Sequence, residues 1–358
     1  MKILFVGATW KGSSARSLRE GLGQIPEVFM DEVGEDHFLP LYRSKPLRAL
    51  NRLVKPWQIK DLEREITTKL DALKPDVLII YKGNGVRSDF IEKVKKRGVL
   101  TVNVFPDYSP HAYGRALASA MGVYDLVIST KPFHPAGWQS VYGYSNRCEF
   151  VPHGYDPDVH FWPTPYQAPE FDVVLAASWR AEYHELMQGF ANAANTQGLT
   201  VGLAGNGWEE HRSAFPANWQ YAGPLYGRAY GDWVRKGRIV IAPVHSRVVI
   251  DGVRQPGDED TTRTYELASA FCFFLHRRTP YASRIYDQAT EVAMWDDADE
   301  LARKVLHYLP RDSERAEMAA AAHARAVPAY SIPARASEVL EKVRDALARR
   351  SLEGACTL

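Results

Sequence analysis

Cysteine is scarce in this 358-residue chain, which has only three, at positions 148, 272 and 356. Three scattered cysteines argue against a disulfide framework and against a paired-cysteine metal site. No apolar run approaches the roughly 20 residues of a membrane-spanning helix, and the apolar start Lys2–Val6 is too short for a signal peptide core. The 44 basic and 43 acidic side chains leave a net charge of only +1, so no overall field favours nucleic acid or a membrane. These absences together predict a protein of the reducing cytoplasm.

The motifs of several common sites are also missing. The loop after the first predicted strand, Gly7–Gly12, lacks the GxGxxG spacing of a dinucleotide site. The histidines show neither HxH nor HExxH spacing, so we expect no metal and no bound cofactor. The first loop is nevertheless rich in small residues that would let a ligand approach the backbone, which makes Gly7, Thr9 and Lys11 candidates for the acceptor side of a binding site. The alternative is a tight turn between strand and helix.

The pattern that is present alternates short, continuously apolar runs with amphipathic ones. Continuous apolar runs are typical of strands buried on both faces, and their alternation with helices predicts doubly wound parallel sheets. A segment rich in turn-forming residues interrupts the pattern, which then starts again. We therefore predict an α/β protein with an N-terminal domain (1–150), a linker (151–170), a C-terminal domain (171–330) and a final helix (331–350). The predicted strands are Lys2–Val6, Val77–Tyr81, Val99–Phe105, Leu126–Ser129, Phe171–Ala177, Thr200–Ala204, Ile239–Ala242 and Phe273–Leu275.

The most informative segment is 257–270, where a polar loop is followed by a short helix and then a strand. Thr261 or Thr262 is expected to cap the helix, leaving backbone N–H groups free to bind a diphosphate. Arg263 adds a cation whose planar fork matches phosphate oxygens, and Glu266 can accept hydrogen bonds from sugar hydroxyls. The alternative is that the acidic residues of this segment only stabilise the start of a helix.

Several motifs resemble one family. Arg263-Thr-Tyr-Glu266 and the elements after it resemble the R-[ST]-[FY]-E segment of spore-maturation-protein-like (CgeB-type) glycosyltransferases. That segment is similar in turn to the donor-binding helix of the family-four retaining glycosyltransferases. Val151-Pro-His-Gly-Tyr-Asp156, with Pro163 after it, resembles the interdomain signature of enzymes with the GT-B fold. The resemblance covers about residues 150–345, and it extends to Glu291–Trp295, Val305–Leu309 and Ala319–His323.

The resemblance implies a GT-B fold, with two Rossmann-like domains facing across a cleft and a C-terminal helix crossing back toward the first domain. It also implies transfer of a sugar from a UDP-, GDP- or dTDP-sugar donor to an acceptor, with retention of configuration and without a metal. Glu266 would bind the ribose, and Asp258 would touch the donor sugar. The other residues that match positions of the donor site are Ser178, Arg180, Gly205, Asn206, Pro224, Leu225, Arg263, Thr264 and Tyr265.

This sequence departs from the family pattern at two places. Phe271 and Cys272 stand after the donor helix, where the family usually has glycine. The basic residue expected a few positions beyond Arg180 is absent, and His184 is the nearest substitute. These departures leave open a non-catalytic protein that binds a nucleotide or a sugar. An epimerase of nucleotide sugars on the same fold is a further alternative, because fold alone does not determine function.

The acceptor is expected on the N-terminal domain, where the loop Phe105–His111 follows a predicted strand. CgeB-type relatives have an aspartate in a similar loop, so Asp107 is the candidate for acceptor contact or catalysis. His111 is a candidate for proton transfer near neutral pH. The alternative is a proline-rich loop with capping side chains. The acceptor can be a glycan, a metabolite or another molecule, and the oligomeric state is not predicted.

The segment 43–60 contains six basic residues and no acidic one, with apolar residues between them. Such a segment can contact a membrane surface or an anionic acceptor. More often it is a solvated helix face with a buried apolar stripe. Nucleic acid is an unlikely partner, because no other feature of the sequence supports it. The basic residues are Arg43, Lys45, Arg48, Arg52, Lys55 and Lys60.

Overall fold

The computed structural model describes residues 1–40, 45–194, 198–250 and 252–356. Its contacts divide the chain into two compact units. Unit 1 comprises residues 1–152, 249–256 and 332–358, and unit 2 comprises residues 153–248 and 257–331. Arg43 of the basic segment lies outside the described residues. Among the helices that the structure describes, none is both long and apolar enough to span a bilayer.

Unit 1 is built on a six-stranded parallel sheet with the order β2-β1-β3-β4-β5-β6. The strands are β1 (Lys2–Gly7), β2 (Phe29–Gly34), β3 (Val77–Tyr81), β4 (Leu100–Phe105), β5 (Leu126–Ser129) and β6 (Arg147–Phe150). The helices between them are α1 (Ser14–Gly23), α2 (Glu35–Phe38), α3 (Lys45–Leu73), α4 (Ser88–Lys96), α5 (Arg115–Met121) and α6 (His134–Gly137).

Unit 2 has a second six-stranded parallel sheet, with the order β14-β13-β10-β7-β8-β9. Its strands are β7 (Phe171–Ala176), β8 (Val201–Ala204), β9 (Gln220–Ala222), β10 (Gly237–Ala242), β13 (Phe274–Arg277) and β14 (Met294–Trp295). Between β10 and β13 the chain forms a separate two-stranded sheet of β11 (Val248–Ile250) and β12 (Val253–Gln255), most of which belongs to unit 1. The helices are α7 (Pro157–His160), α8 (Ala181–Ala193), α9 (Gly227–Arg235), α10 (Arg263–Ser269), α11 (Ala282–Ile285), α12 (Ala298–Tyr308) and α13 (Asp312–Ala326).

Helices cover both faces of each sheet. In unit 1, Leu4 and Ile80 pack on the side of α3, α4 and α5, whereas Ile3 and Ile79 pack on the side of α1. The same alternation in unit 2 places Leu175 toward α8 and α12, and Val174 toward α9, α10 and α13. Burial on both faces explains why these strands are continuously apolar. The predicted α/β class with two Rossmann-like units is confirmed.

A last helix, α14 (Ile332–Cys356), belongs to unit 1 and packs on α1. The approach is close because Gly21 of α1 has no side chain. A Cβ atom at Gly21 would lie 2.8 Å from the Cα of Pro333 and 2.9 Å from the Cβ of Ala336. The buried face of α14 includes Ile332, Ala336, Val339, Leu340 and Val343.

Several elements are absent from the sequence prediction, among them the edge strands β2, β6 and β9, the two-residue strand β14, and the helices α5 and α9. The strands β2, β6 and β9 include partly exposed or fully exposed positions, because each lies at an edge of its sheet. Their sequences therefore lack the continuous apolar run that identified the central strands. The helix predicted over 59–73 is longer than expected and begins at Lys45.

We predict that Gly21→Ala destabilises unit 1 by about 1–3 kcal/mol, because the added methyl group would meet the backbone of α14. Gly23→Ala is the matched control in the same helix, where the new Cβ would meet only the flexible tip of Met30, at 3.1 Å. Urea denaturation measures both free energies of unfolding. Equal stability of Gly21→Ala and the wild type would contradict the close packing of α1 on α14.

Candidate functional site

The strand order of unit 2 indicates where a ligand would bind. From β7 the chain continues to β8 on one side, whereas from β10 it continues to β13 on the other side. In open α/β sheets, ligands bind at such a reversal, outside the carboxyl ends of the strands. The loops that follow β7 and β10 are therefore the centre of the candidate site.

The loops after β7 and β8 are held together by close backbone contacts. The carbonyl oxygen of Ala177 accepts a hydrogen bond from the Trp208 indole at 2.6 Å, and the Trp179 N–H donates to the Asn206 carbonyl at 2.7 Å. Gly205 has a φ of +132°, and a Cβ atom there would lie 2.2 Å from the Ala177 carbonyl oxygen. Only glycine fits this position without a shift of the backbone.

Around this junction, Ser178 and Asn206 are exposed to solvent. Pro224 is also exposed, whereas Leu225 is half-buried against the core on the α9 side. The neighbouring Gly223 carbonyl accepts a hydrogen bond from the Gly205 N–H at 3.1 Å. The structure thus brings the residues predicted from three separate loops to the carboxyl edge of one sheet.

Arg180 is the residue immediately before α8, and its side chain is exposed. Burial lowers the pKa of His245, and the Arg180 guanidinium lowers it further, whereas Glu182 and Asp258 act in the opposite direction. The Glu182 carboxylate accepts hydrogen bonds from Ser246, including one from its N–H at 3.0 Å. The first turn of α8 therefore holds the loop after β10 in place.

Asp258 lies against that loop. Its N–H donates to the His245 carbonyl at 2.8 Å, and a Cβ atom at Gly257 would lie 2.6 Å from the Cα of Ser246. Glu259, the adjacent acid, accepts a hydrogen bond from the Tyr281 N–H at 2.9 Å, so its carboxylate has a structural role. Asp258 is the acid of this pair that lies beside His245, whose pKa both Asp258 and Arg180 affect.

The start of α10 differs from the predicted anion site. The side chain of Thr262 makes no capping hydrogen bond. The N–H groups of Thr264, Tyr265 and Glu266 donate to the carbonyls of Thr261 and Thr262, at 2.9–3.0 Å. The expectation of free N–H groups is wrong for these three residues, because a tight turn already binds them.

The side chains of the same segment supply another kind of site. Arg263 donates a hydrogen bond from its terminal nitrogen to the Pro243 carbonyl at 3.1 Å. Its buried Nε, and the buried hydroxyl of Thr261, have no hydrogen-bond partner among the described residues. Because buried polar groups are normally satisfied, two such atoms at one helix start suggest a polar ligand.

Glu266 lies one turn into α10 and its side chain is only 12% exposed. Its Oε1 is 3.7 Å from Nε2 of His160, whose Nδ1 accepts a hydrogen bond from the Asp156 N–H at 3.4 Å. Burial raises the pKa of Tyr230 well above its usual value, and the Glu266 carboxylate raises it further, while Arg263 lowers it. Glu266 and Arg263 thus share one neighbour and form a carboxylate and cation cluster.

Thr264 and Tyr265 are fully buried, and their hydroxyl groups bond to interior partners. The Thr264 hydroxyl lies 2.8 Å from Nε2 of His276, and the Tyr265 hydroxyl donates to Asp260 at 2.7 Å. His276 is also buried, and burial lowers its pKa to about 4. These two motif residues therefore anchor α10 to the core and hold Arg263 and Glu266 in position.

Helix α10 ends in the usual geometry, although Phe271 and Cys272 stand where the family usually has glycine. Phe271 has a φ of +61°, the left-handed conformation that glycine usually supplies. The N–H of Phe271 bonds to the Ala268 carbonyl and that of Cys272 to the Leu267 carbonyl, at 3.1 and 3.0 Å. Phe271 stacks on His323 at 4.2 Å between ring centroids, a contact that offsets the backbone strain.

Unit 1 has its own cluster at the carboxyl edge of its sheet. Asp107 forms an ion pair with Lys82, 2.8 Å from Nζ to Oδ2, and the Lys82 ammonium lies 3.9 Å from the centre of the Tyr113 ring. Lys82 has a φ of +63°, which is strained for a residue with a side chain. Sequence analysis missed Lys82, although its position directly after a buried strand was a usable signal.

The other predicted residues of unit 1 are spread around this edge. The N–H of Thr9 donates to Asp36 at 2.8 Å, and a Cβ atom at Gly7 would meet Ala15 at 3.0 Å, which agrees with a tight strand-to-helix turn. Lys11 is exposed. His111 is exposed and stacks on Tyr142 and Tyr144, with ring centroids 6.1 and 6.0 Å apart.

Glu35, which follows β2, is a second residue that sequence analysis missed. Burial raises the pKa of this carboxyl group to about 7, although a backbone hydrogen bond at Gly85 and the Lys82 ammonium both act to lower it. A carboxyl group with a pKa near neutrality can exchange protons at physiological pH. Within the described residues, no three His, Cys, Asp or Glu side chains are grouped so as to hold a metal ion.

Comparison with known proteins gives a match to one family model and identifies the fold. Residues 184–341 match the family model described as "Glycosyl transferase-like", a match that covers most of unit 2 and the start of α14. No curated protein shows a significant sequence match to this chain.

Solved structures show the same fold at low sequence identity. Sucrose-phosphate synthase from Thermosynechococcus elongatus is 10% identical, with a TM-score of 0.66 over 98% of this chain and 100% of that one. Anabaena HepE in complex with UDP is 12% identical, with a TM-score of 0.62 over 96% and 100% of the two chains. The T4 phage enzyme BGT in complex with its UDP-glucose substrate is 13% identical, with a TM-score of 0.56 over 97% and 99%. The chain therefore has the GT-B fold, as predicted.

We predict that Gly205→Ala lowers the free energy of unfolding by about 1–3 kcal/mol, because the new Cβ would overlap the Ala177 carbonyl at a positive φ. Gly223→Ala is the matched control in the adjoining loop, since its Cβ would meet nothing within 4 Å. Urea denaturation followed by tryptophan fluorescence measures both changes. A Gly205→Ala protein as stable as the control would disprove the close approach of the two loops.

Proposed function

We propose that this protein transfers a sugar from a nucleotide-sugar donor to an acceptor, with the donor held by unit 2. The main support is the Arg263 and Glu266 cluster at the carboxyl edge of a Rossmann-like sheet, within residues that match a glycosyltransferase family model. Both the charge and the chemistry of the cluster suit a nucleotide sugar. A cation attracts the diphosphate, and a carboxylate accepts hydrogen bonds from hydroxyl groups.

In the proposed donor pose, the carboxylate and the cation of the cluster bind different parts of the nucleotide sugar. Glu266 would accept hydrogen bonds from the ribose hydroxyls, and the guanidinium groups of Arg263 and Arg180 would contact the diphosphate. Gly205 and Asn206 would lie against the nucleotide, and Asp258 would face the donor sugar. The uridine nucleotides bound by Anabaena HepE and by phage BGT make UDP the first nucleotide to test.

The chemical step separates the sugar from a nucleoside diphosphate, on which negative charge builds up. Fixed cations that face this charge stabilise the transition state, so we propose that Arg263 and Arg180 act without a metal. Retention of anomeric configuration follows only from the resemblance to family-four enzymes, and the anomeric proton signal of the product would test it. The left-handed conformation of Phe271 argues against a decayed donor site, since the end of α10 has kept its geometry.

We further propose that the acceptor binds on unit 1 beside Asp107. The ion pair with Lys82 would orient the Asp107 carboxylate toward an acceptor hydroxyl. Glu35, which interacts with the same Lys82, has a carboxyl pKa near neutrality and can exchange protons there, and His111 lies in the same loop as Asp107. The strained backbone of Lys82 is consistent with a functional role, because such strain is often found at active sites.

The donor assignment predicts that Arg263→Ala and Glu266→Ala each weaken nucleotide binding by about tenfold to a hundredfold, the range for losing a hydrogen bond to a charged group. A thermal-shift panel of UDP, GDP, dTDP, ADP and CMP, with and without magnesium, first identifies the nucleotide. A ligand at about 100 times its Kd adds roughly 2.7 kcal/mol of stability, which is a measurable shift.

Arg303→Ala and Glu317→Ala are matched controls, because both side chains are exposed on helices of the same unit. The controls should bind nucleotide as the wild type does. Unchanged affinity in both Arg263→Ala and Glu266→Ala, with folding intact, would refute the assigned donor site. No shift with any nucleotide would count against the donor class itself.

The acceptor assignment predicts that Asp107→Asn lowers acceptor-stimulated release of the nucleoside diphosphate by about a hundredfold or more. The assay uses the nucleotide sugar identified above with a panel of simple sugars and alkyl glycosides. The thermal shift by nucleotide should remain that of the wild type, because Asp107 belongs to unit 1. Asp89→Asn is the matched control, since this carboxylate is exposed on α4. Full activity of Asp107→Asn would remove Asp107 from the site.

A further inference from the structure

Helix α3 has apolar residues on opposite sides in its two halves. Leu62 and Ile66, in the second half, are fully buried in the core of unit 1. Leu53 and Trp57 precede them by nine residues each, which is about two and a half turns. An odd number of half turns places these two residues on the opposite face, directed away from the core of their own unit.

The first half of α3 is correspondingly exposed. All residues from Arg52 to Trp57 are exposed, so no face of this segment is covered. Leu50 is 59% exposed, Leu53 69% and Trp57 63%. With Leu47 and Val54, these residues form the exposed stripe, spaced three or four residues apart as on one side of a helix. An apolar stripe of this kind is typical of an interaction surface.

The charges around the exposed stripe indicate the type of partner. No acidic residue occurs between positions 43 and 60, although the whole chain is nearly neutral. Arg52 and Lys55 are exposed and lie on the face opposite Leu50, and Lys60 is exposed one turn beyond Trp57. Arg43 and the side chains of Lys45 and Arg48 lie outside the described part of the chain.

A helix with one apolar face, a basic polar face and a tryptophan beside leucines matches the surface of an anionic bilayer. The apolar face enters the boundary between headgroups and acyl chains, while the lysine and arginine side chains contact anionic headgroups. We propose that the first half of α3 is an interfacial helix that docks this protein on anionic membranes. A protein partner is the less suitable occupant, because the segment 43–60 that carries the stripe contains six basic residues and no acidic one.

Vesicle sedimentation tests the proposal on the full chain. The protein should bind vesicles of phosphatidylcholine mixed with an equal amount of phosphatidylglycerol, bind phosphatidylcholine alone much less, and dissociate at high salt. Leu53→Asp should weaken binding by about tenfold or more, because the loss of apolar burial adds to repulsion by the lipid. Arg52→Glu should weaken it by at least about fivefold, the effect of one cation near the surface.

Leu306→Asp is the matched control, since Leu306 is a leucine 48% exposed on helix α12 of unit 2. It should bind vesicles as the wild type does. The assay needs no donor or acceptor, so its result is independent of the proposed transferase activity. Absence of vesicle binding, or equal binding by Leu53→Asp and Leu306→Asp, would overturn the proposal.

Two further outcomes would identify a different occupant of the stripe. A dimer in sedimentation velocity that Leu53→Asp dissociates, without binding to vesicles, would assign the stripe to a second copy of the chain. A DNA mobility shift that depends on Arg52, again without vesicle binding, would assign the segment to nucleic acid. Either result would overturn the membrane proposal.

Discussion

The candidate donor site depends on two places where a glycine lets one backbone segment lie directly against another. Gly205 lies against the Ala177 carbonyl, and Gly257 lies against Ser246. The first contact joins the loops after β7 and β8, and the second joins the loop before α10 to the loop after β10. A side chain at either glycine would separate loops that belong to different strands. The position of Arg180, Asn206 and Asp258 at one sheet edge therefore follows from backbone contact as much as from the sheet order.

The side chains at this edge divide into those that hold the site together and those that remain available. Glu182 binds the N–H of Ser246, and Glu259 binds that of Tyr281, so both carboxylates are used within the fold. Glu266 is different, because its carboxylate lies beside the side chains of His160 and Tyr230. In the proposed function, this division would let an edge with several acids still attract a diphosphate. The acids in the loops accept hydrogen bonds from backbone N–H groups, whereas Arg263 retains a buried nitrogen without a partner among the described residues.

Much of the fold could be predicted from the sequence, because central parallel strands are apolar on both faces. The strands β2, β6 and β9 were missed since strands at or near an edge need only part of that pattern. The short helix predicted at the motif Arg263–Glu266 is present as α10, but the N–H groups of Thr264, Tyr265 and Glu266 are not free as expected. Capping depends on the backbone angles of Thr262, which are helical already, and no sequence pattern specifies them. The Lys82 ion pair with Asp107 was missed for a related reason, because it depends on a lysine in a conformation that favours glycine.

The two halves of helix α3 have different surfaces, which a hydrophobic periodicity averaged over the whole helix does not distinguish. Its second half buries Leu62 and Ile66, whereas its first half exposes Leu53 and Trp57 on the opposite side. Taken over the whole helix, apolar residues occur on all sides, so the periodicity predicts only the half that belongs to the core. The sequence interpretation of a buried stripe fails for the first half, since the body of unit 1 does not reach it. A helix that extends beyond its own core, with apolar residues directed outward and cations around them, exposes surface that folding alone does not require. Such a surface is explained by a partner, and the absence of acidic residues makes an anionic one the best match.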